Sequence, residues 1–490
     1  MLSTFRRLLF PVLHALGPVL IAFAGLMLVP AVYSWTERDG ALGDFLTGAG
    51  VTAAAGLALT LLFLPFRREL TARHGFLLVT LSWALIAAFA ALPLSLHMPE
   101  ESLARLYFES MSCLTTTGGT ALTDLDRLPY SINGWRCFLS WLGGMGLIVM
   151  SVAILPLLGV GGAQVMQAET SGPLKETRLT PRIAQTARSL YVIYFSISFA
   201  CAVAYHLAGL HWRDAIFHMM TTVSLSGISS HDASFAFFDS LPADCVAAFF
   251  MLVCGVSFSL HFVAWRRRDP LAYLRDPETI AWTGLLAALT ALCTATLFAT
   301  GSAPSLSEAF AAAFFAVAST ASTTGYTHAD WSAWPLGLPV LMMVSSCFAT
   351  CAGSTGGGLK MIRALILLRQ AGREFTHLLY PNAVTPITIG STPISNKISF
   401  AVLAYALIWI LTVVAGGAVL MLTGLAPLEA CSASFASVTN LGPGLGAVGP
   451  AGSYRELAEI QLAILTFLML AGRLELFTVF VLFTRAFWKA

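Results

Sequence analysis

The sequence predicts an all-α polytopic membrane protein, with four pseudo-symmetric helix–pore loop–helix units around one central pore plus an N-terminal helix pair. Composition is the first of three supporting observations. Hydrophobic residues make up 57% of the 490 residues and charged residues only 11%, whereas soluble domains carry about 25% charged residues. Long apolar stretches recur along the chain. Between them, four short glycine-containing polar segments recur at intervals of 109, 98 and 117 residues.

Ten apolar stretches are long enough to cross a hydrocarbon core, which takes about 20 helical residues. They are 11–34, 42–65, 75–97, 134–160, 184–209, 242–265, 278–300, 335–369, 397–424 and 456–484. The first stretch has no convincing small-residue cleavage site, so we interpret it as a membrane helix rather than a signal peptide. The first two stretches form a pair of their own, and the other eight form four pairs that each enclose one polar segment.

This pairing divides the chain into five predicted parts. They are the N-terminal transmembrane helix pair (1–70), pore repeat 1 (71–165), pore repeat 2 (180–270), pore repeat 3 with a broken second helix (275–373) and pore repeat 4 (394–490).

Each polar segment follows a short helix candidate that is too short to span a membrane. The segments are TTTGG (115–119), SLSGI (224–228), STTGY (322–326) and TNLGP (439–443), and the helix candidates are 102–114, 212–223, 306–320 and 427–438. Irregular backbone is tolerated at membrane depth only where protein shields it from lipid. We therefore predict four half-helices that enter the membrane and return as extended chain.

Four such loops around one axis are suited to binding a dehydrated cation. Backbone carbonyls can replace the water of K+, and glycine allows the backbone angles that turn successive carbonyls toward an axis. The C-terminal end of each half-helix also favours a cation. The predicted K+-binding filter residues are Thr115, Thr116, Thr117, Gly118, Ser224, Leu225, Ser226, Gly227, Ser322, Thr323, Thr324, Gly325, Thr439, Asn440, Leu441 and Gly442.

The segment CAGSTGGG (351–358) interrupts the eighth apolar stretch with polar residues and glycines. We interpret it as a flexible gate; a glycine-rich kink that lets helices approach is the alternative. Arg473 lies deep in the last apolar stretch, where an isolated arginine needs water or a partner. The predicted gate residues are Gly353, Ser354, Thr355, Gly356, Gly357, Gly358 and Arg473.

Two acidic residues, Glu475 and Glu109, also lie at membrane depth. A salt bridge between Arg473 and Glu475 is the structural alternative to the gate, but their i, i+2 spacing disfavours it on one helix. Glu109, inside the first half-helix, is expected to anchor a loop backbone rather than to bind the ion.

Several sequence patterns suggest nucleotide binding, metal binding or redox chemistry, but the surrounding sequence does not support these interpretations. GSTGGGLK (353–360) lacks the strand and the Ser or Thr after lysine that a phosphate-binding loop needs, and GLGAVG (444–449) lies in no βαβ unit. The ten histidines, His218 included, suggest no metal site. Scattered cysteines without a CxxC pair are typical of apolar packing, and no covalent cofactor is indicated.

The positive charges predict the orientation. Twenty of the 27 Lys and Arg residues fall in the N-terminus, the even-numbered connections, 360–373, Lys397 and the C-terminus. Because cytoplasmic loops are enriched in Lys and Arg, both termini are expected in the cytoplasm. The basic inner loops are candidates for contact with lipid headgroups or with a protein partner. The net charge of +2 suggests no nucleic-acid partner.

FESMSCLTTTGGT (108–120), STTGY, CAGSTGGGLKMIRA (351–364), TNLGPGLG (439–446) and AGRLELFTVF (471–480) resemble the Trk/Ktr/HKT superfamily of potassium transporters, most closely its Trk branch. The resemblance covers nearly the whole chain. It implies a homodimer in the bacterial cytoplasmic (inner) membrane with a cytoplasmic nucleotide-binding regulatory ring of the TrkA type. It also implies K+ as the transported ion, because glycine at the place of Gly118 accompanies potassium selectivity in this superfamily.

The expected function is therefore potassium uptake by gated, channel-like permeation, in a protein that is not an enzyme. A sodium-conducting or weakly selective transporter of the same superfamily is the alternative, because the second and fourth loops depart from the TTTG form. Coupling by symport is compatible with this function but has no residue signature. A membrane-embedded enzyme is the rival from another class, and it would need a nucleophile with a base or a metal cluster at membrane depth. The chain has no HExxH motif, and its loop hydroxyls have no neighbouring histidines.

Overall fold

The structure, a computed structural model, describes residues 2–149, 183–348, 350–390 and 392–489. The C-terminal part of the predicted stretch 134–160, the end of repeat 1, the start of repeat 2, and Lys175, Arg178 and Arg182 lie outside these residues. So do the side chains of a few further residues at helix ends.

The described residues form nineteen α-helices and one hairpin. The helices are α1 (Leu2–Glu37), α2 (Leu42–Leu62), α3 (Ala72–His97), α4 (Leu103–Leu114), α5 (Tyr130–Val149), α6 (Ile183–Leu207), α7 (Trp212–Val223), α8 (Leu241–Gly255), α9 (Phe258–Arg267), α10 (Ala272–Arg275), α11 (Pro277–Ala299), α12 (Leu306–Ala321), α13 (Leu338–Ser345), α14 (Met361–Leu379), α15 (Asn396–Leu422), α16 (Pro427–Thr439), α17 (Glu459–Arg473), α18 (Phe477–Phe480) and α19 (Arg485–Trp488). Strands β1 (Ile387–Ile389) and β2 (Thr392–Ile394) pair antiparallel, with Ile387 opposite Ile394.

The four predicted half-helices are present as α4, α7, α12 and α16, and their ends lie within about a residue of the predicted ones. Ser102 and Ser305 cap α4 and α12 by accepting hydrogen bonds from the backbone N–H three residues on. Pro427 occupies the first turn of α16, where a missing N–H does no harm. Each half-helix has 12 to 16 residues, too few to span a membrane.

The described residues contain fewer long spans than the ten that the sequence predicts for the whole chain. Six described helices are long and apolar enough to cross a membrane, and eight spans result if each of two bent pairs is counted once. The predicted stretch 335–369 is divided into α13 and α14 by non-helical chain. The stretch 134–160 is described only as far as the end of α5, at Val149.

Two of the predicted stretches, 242–265 and 456–484, are bent rather than continuous helices. Helices α8 and α9 meet at 90°, and α17 meets the helical turn that follows it at 109°. At the first bend, the Gly255 carbonyl accepts the Cys351 N–H (2.9 Å), and the Phe258 N–H donates to the Gly353 carbonyl (3.1 Å). The backbone groups that the bend frees are thus satisfied by repeat 3, which hydropathy alone does not reveal.

The helices of the N-terminal pair approach each other closely. A Cβ on Gly17 would lie 2.7 Å from the Gly56 carbonyl oxygen, and a Cβ on Gly56 would lie 2.8 Å from the Gly17 oxygen. Small residues at such a crossing allow the backbone-to-backbone packing that membrane helices favour.

Each repeat packs on the next one along the chain, and the fourth packs on the first. Helix α5 packs on α7, α8 on α12, α14 on α15, and α17 on α4, which joins repeat 4 back to repeat 1. Many large apolar side chains are exposed on the outside of the long helices, including Leu28, Phe199 and Leu422. The loops at the centre instead bury Thr115, Ser224 and their equivalents completely. A polar centre inside an apolar perimeter is the distribution that lipid requires.

Candidate functional site: a ring of four loops

All four half-helices end with the same hydrogen-bond pattern. The N–H of the third loop residue donates to the carbonyl five residues earlier, and all four bonds measure 2.9 Å. The pairs are Thr117 to Ser112, Ser226 to Thr221, Thr324 to Ser319 and Leu441 to Ala436. The second loop residue is left-handed each time, with φ of 52° at Thr116, 55° at Leu225, 58° at Thr323 and 55° at Asn440. This is a Schellman end in which none of the four left-handed residues is glycine.

The glycines of the four loops, Gly118, Gly227, Gly325 and Gly442, close a ring. A Cβ on Gly118 would lie 2.0 Å from the Ser226 carbonyl oxygen, and one on Gly227 would lie 2.0 Å from the Thr324 oxygen. A Cβ on Gly325 would lie 2.4 Å from the Leu441 oxygen. The fourth, on Gly442, would lie 2.7 Å from the Thr117 oxygen, which returns to the first loop. Each glycine has a positive φ, between 67° and 93°. The loops therefore surround one axis, and only glycine fits their contacts.

The first hydroxyl of each loop donates back to its own half-helix. The bonds run from Thr115 to Met111 (2.7 Å), Ser224 to Met220 (2.8 Å), Ser322 to Ser319 (3.2 Å) and Thr439 to Phe435 (2.8 Å). The proton of each hydroxyl is thereby committed to the protein, and the oxygen lone pairs are the atoms that a cation could use. Asn440 joins two loops directly, because its amide donates to the Thr117 hydroxyl (2.9 Å).

The predicted gate segment contacts three of the four loop regions. The Thr355 hydroxyl donates to the Val223 carbonyl at the end of α7 (3.0 Å). The Gly357 N–H donates to the Thr323 hydroxyl (2.8 Å), and the Gly358 N–H donates to the Thr439 carbonyl (3.0 Å). Glycine is required at 357, because a Cβ there would lie 2.1 Å from the Thr439 oxygen. Residues 353–358 thus lie against the helix-side ends of the loops.

Arg473 meets this segment from repeat 4. Its Nη1 donates to the Thr355 carbonyl (3.0 Å), and the side chain is 2% exposed. Among the described residues, its Nε and Nη2 have no hydrogen-bond partner. The salt bridge between Arg473 and Glu475 does not form, because Glu475 pairs with Arg363 (2.7 Å). Arg473 therefore lies beside the segment.

Two charged residues around the gate segment were missed. The Glu278 carboxylate accepts the N–H groups of Ala352 (2.8 Å) and Ile362 (3.0 Å), which flank the segment. Lys360 Nζ donates to the Gly356 carbonyl (2.6 Å) and to the Thr350 and Ser354 hydroxyls. An acidic residue in the first turn of a helix usually needs no explanation beyond the helix dipole, so Glu278 carried no signal in the sequence.

Glu109 anchors the first loop, as the sequence predicted. Its carboxylate accepts the Ala121 N–H (2.9 Å) and the Thr120 hydroxyl (3.1 Å). The partner of its charge, Arg136, is an unpredicted residue on α5 and pairs with it at 2.7 Å, with both side chains buried. Arg136 also donates to the Ser229 carbonyl (3.0 Å), so the pair joins the first loop to the second.

His231, after the second loop, connects the same two repeats. It forms ion pairs with Asp126 from repeat 1 and with Asp214 from α7. His218 stacks near it, with ring centroids 6.1 Å apart, and Asp232 accepts the Leu125 N–H (2.8 Å). In the described part of the chain, no three His, Cys, Asp or Glu side chains are arranged to hold a metal ion. We interpret this cluster as a clasp that joins the segments following the first and second loops.

The clasp should make stability depend on pH. Burial alone would lower the pKa of His231, but its bonds to Asp214 and Asp126 outweigh burial and raise that pKa above its usual value. A raised histidine pKa means that the clasp is fully formed below about pH 6.5 and is lost as the pH rises through the raised value. His231→Gln should therefore lower stability by up to about 1 kcal/mol in acid and by little in alkali.

Melting temperatures of the purified protein between pH 5.5 and 9 measure this difference. His211 is exposed, so His211→Gln serves as the matched control. Its melting temperature should equal that of wild type at every pH in this range. A constant difference between His231→Gln and wild type across that range would contradict the clasp.

Comparison with known proteins agrees with this architecture. The sequence model of the TrkH family, described as cation transport protein, matches residues 45–489. The chain is 41% identical over 490 residues to the "Trk system potassium uptake protein TrkH" of Halomonas elongata, covering 98% of this chain and 99% of that one. It is 41% identical over 481 residues to the protein of the same name from Escherichia coli K12, covering 96% and 98% of the two chains.

A solved structure is similar throughout. The crystal structure of the potassium transporter TrkH from Vibrio parahaemolyticus superimposes with a TM-score of 0.90 at 39% identity, covering 98% of this chain and 100% of that chain. The relatives are named as transport proteins, not enzymes. A transporter family together with several apolar helices implies a multi-pass inner-membrane protein. Its four-loop ring and its match over nearly the full length place it in one family: the chain belongs to the TrkH family of cation transport proteins.

Proposed function

We propose that this protein takes up K+ by gated, channel-like permeation through a selectivity filter formed by the four loops. The observation that carries the proposal is the ring in which each loop glycine faces the carbonyl of the next loop. Carbonyl oxygens around one axis can replace the hydration shell of K+ without adding a fixed charge. The names of the relatives, potassium uptake proteins, support K+ as the transported ion.

The half-helices support cation passage in a second way. Each of α4, α7, α12 and α16 ends at the ring, so four C-terminal helix ends with their partial negative charges point to it. The filter residues are those predicted from sequence, Thr115 to Gly118, Ser224 to Gly227, Ser322 to Gly325 and Thr439 to Gly442. Inward movement of one K+ down a potential of 100 mV releases about 2.3 kcal/mol.

In this proposal, the gate is Gly353 to Gly358 together with Arg473. The segment is hydrogen-bonded across the helix-side ends of the second, third and fourth loops, so an ion leaving the ring would meet it. Arg473 adds a buried positive charge at Thr355. Since an unpaired cation repels K+ strongly in a poorly hydrated site, both obstacles must move before the ion passes.

The remaining expectations belong to the same proposal. We place both termini in the cytoplasm from the distribution of Lys and Arg, with each of the four predicted repeats supplying one loop. A homodimer, surrounding membrane lipid and a regulatory ring of the TrkA type are the partners, and the "Trk system" in the relatives' names supports a regulatory partner. Symport with H+ or Na+ is compatible with the ring.

Ion flux with competing cations tests the proposal. Liposomes containing the purified protein should take up K+ and Rb+ faster than Na+, and the gene with its regulatory partner should restore growth of a potassium-uptake-deficient strain on low K+. Protein-free liposomes and an empty vector are the controls. Equal Na+ and K+ uptake would support the weakly selective alternative. Failure to restore growth despite normal membrane expression would contradict K+ uptake.

A further inference from the structure

Helix α14 begins where the gate segment ends, and its first turn is tied to repeat 4. Arg363 Nη2 pairs with the Glu475 carboxylate at 2.7 Å. The Arg363 guanidinium also lies over the Tyr405 ring of α15, 4.2 Å from its centroid. The Arg363 side chain is 4% exposed and that of Glu475 28%, so the pair is screened only on one side. Salt weakens such a pair less than it weakens an exposed one.

Glu475 is joined closely to Arg473. Helix α17 ends at Arg473, and Glu475 follows in the left-handed region, with φ of 56°. The Leu476 N–H donates to the Ala471 carbonyl (2.9 Å), and the Glu475 N–H donates to the Gly472 carbonyl (3.2 Å). These bonds form a helix cap. Glu475 therefore cannot be displaced far without moving Arg473 or breaking the cap.

The contacts form a closed circuit around the gate. The chain runs from Thr355 to Arg363, Arg363 pairs with Glu475, and Glu475 is capped onto the helix that ends in Arg473. Arg473 then donates back to the Thr355 carbonyl. The first turn of α14 is thus connected to Arg473 by two routes, one through the segment and one through the ion pair.

We propose that the Arg363–Glu475 ion pair positions Arg473 at Thr355 and couples movement of α14 to its withdrawal. Glu475 and Arg363 are positioning residues, since neither lines the loop ring. The inference rests on the proposed gate. It assigns a role to the charge of Glu475, whose left-handed backbone would be more easily adopted by glycine.

A double-mutant cycle between Glu475→Gln and Arg473→Ala tests the coupling. Glutamine keeps the shape of the side chain and removes its charge. Glu475→Gln should raise basal Rb+ flux about threefold or more when Arg473 is present, and should add almost nothing to Arg473→Ala, because coupled residues are not additive. Arg363→Lys, which keeps the charge, should remain nearer to wild type than Arg363→Gln.

Hydrogen exchange gives a readout that does not depend on flux. The amides of Gly357 and Gly358 are bonded to Thr323 and Thr439, so they report whether the segment is in place. Glu475→Gln should speed their exchange about threefold or more in the wild-type background and leave it unchanged in Arg473→Ala. Glu374→Gln on the same helix is the matched control, because Glu374 is exposed (58%) and should change neither readout.

The outcomes distinguish the barrier role of Arg473 from its positioning by the Arg363–Glu475 pair. If Arg473→Ala leaves flux at the wild-type level, the proposed barrier is wrong, while the exchange cycle still decides whether the ion pair positions Arg473. Equal effects of Glu475→Gln in both backgrounds, in exchange and in flux, would overturn the coupling. So would wild-type exchange in Glu475→Gln.

Discussion

Gly118→Ser should lower the ratio of K+ to Na+ flux by about tenfold or more, which corresponds to only about 1.4 kcal/mol. A Cβ at this position would lie 2.0 Å from the Ser226 carbonyl oxygen, a contact that real side chains do not make. The backbone there also has φ of 89°, which an L side chain rarely adopts. The Ser226 carbonyl must therefore turn or shift, and the ring loses its match to one ion size. Competing-cation flux in liposomes measures the ratio.

Gly424→Ser is the matched control for backbone strain. Gly424 has almost the same φ, 91°, but its added Cβ would meet nothing within 4 Å. This variant carries the strain without the contact, and its flux ratio should equal that of wild type. An unchanged ratio in Gly118→Ser would remove Gly118 from the filter, and an equal loss in both variants would show that strain alone is responsible.

Arg473→Ala should raise basal flux by about tenfold or more in the absence of a regulatory partner. A unit charge about 10 Å from a passing ion costs roughly 1.7 kcal/mol at an effective dielectric constant of 20, and the lost bond to Thr355 frees the segment as well. The measurement is Rb+ flux into liposomes at matched protein content.

Two further substitutions separate charge from contact at this position. Arg473→Lys keeps the positive charge and should stay near the wild-type flux. Arg473→Gln keeps a hydrogen-bond donor but not the charge. If charge repulsion dominates, its basal flux should equal that of Arg473→Ala. Wild-type flux in all three variants would exclude Arg473 from the gate.

Much of the fold could be predicted from local sequence. The half-helix α7 coincides with its predicted range, 212–223, because a short apolar run between two long ones and a following glycine loop define it. The family resemblance rested on the same loops, and the family match confirms it. The bend after Gly255 was not predictable in this way, because its cause is a hydrogen bond to Cys351, nearly a hundred residues further along the chain.

In the candidate site, too, some residues can be recognised from the sequence and others only from the structure. Gly118 and its three equivalents stand out as a repeat, and the interruption at 351–358 stands out as polar residues in an apolar stretch. Glu278, Arg136 and Arg363 do not stand out, because each looks locally like an ordinary charged residue in the first turns of a helix. Glu475 does stand out at membrane depth, but its partner cannot be read from the sequence. Their roles come from partners on other helices or loops: Glu278 accepts N–H groups beside the gate segment, Arg136 pairs with Glu109 of α4, and Arg363 pairs with Glu475 of repeat 4.

The sequence by itself determined that this is a membrane protein with four polar loops, because hydropathy and repetition are properties of neighbouring residues along the chain. Only the tertiary structure decided which carbonyl each glycine faces, where two spans bend, and which acid pairs with which arginine. Those outcomes depend on distances between segments that are separated along the chain, most of them by about a hundred residues or more, and a single ångström separates a hydrogen bond from a clash.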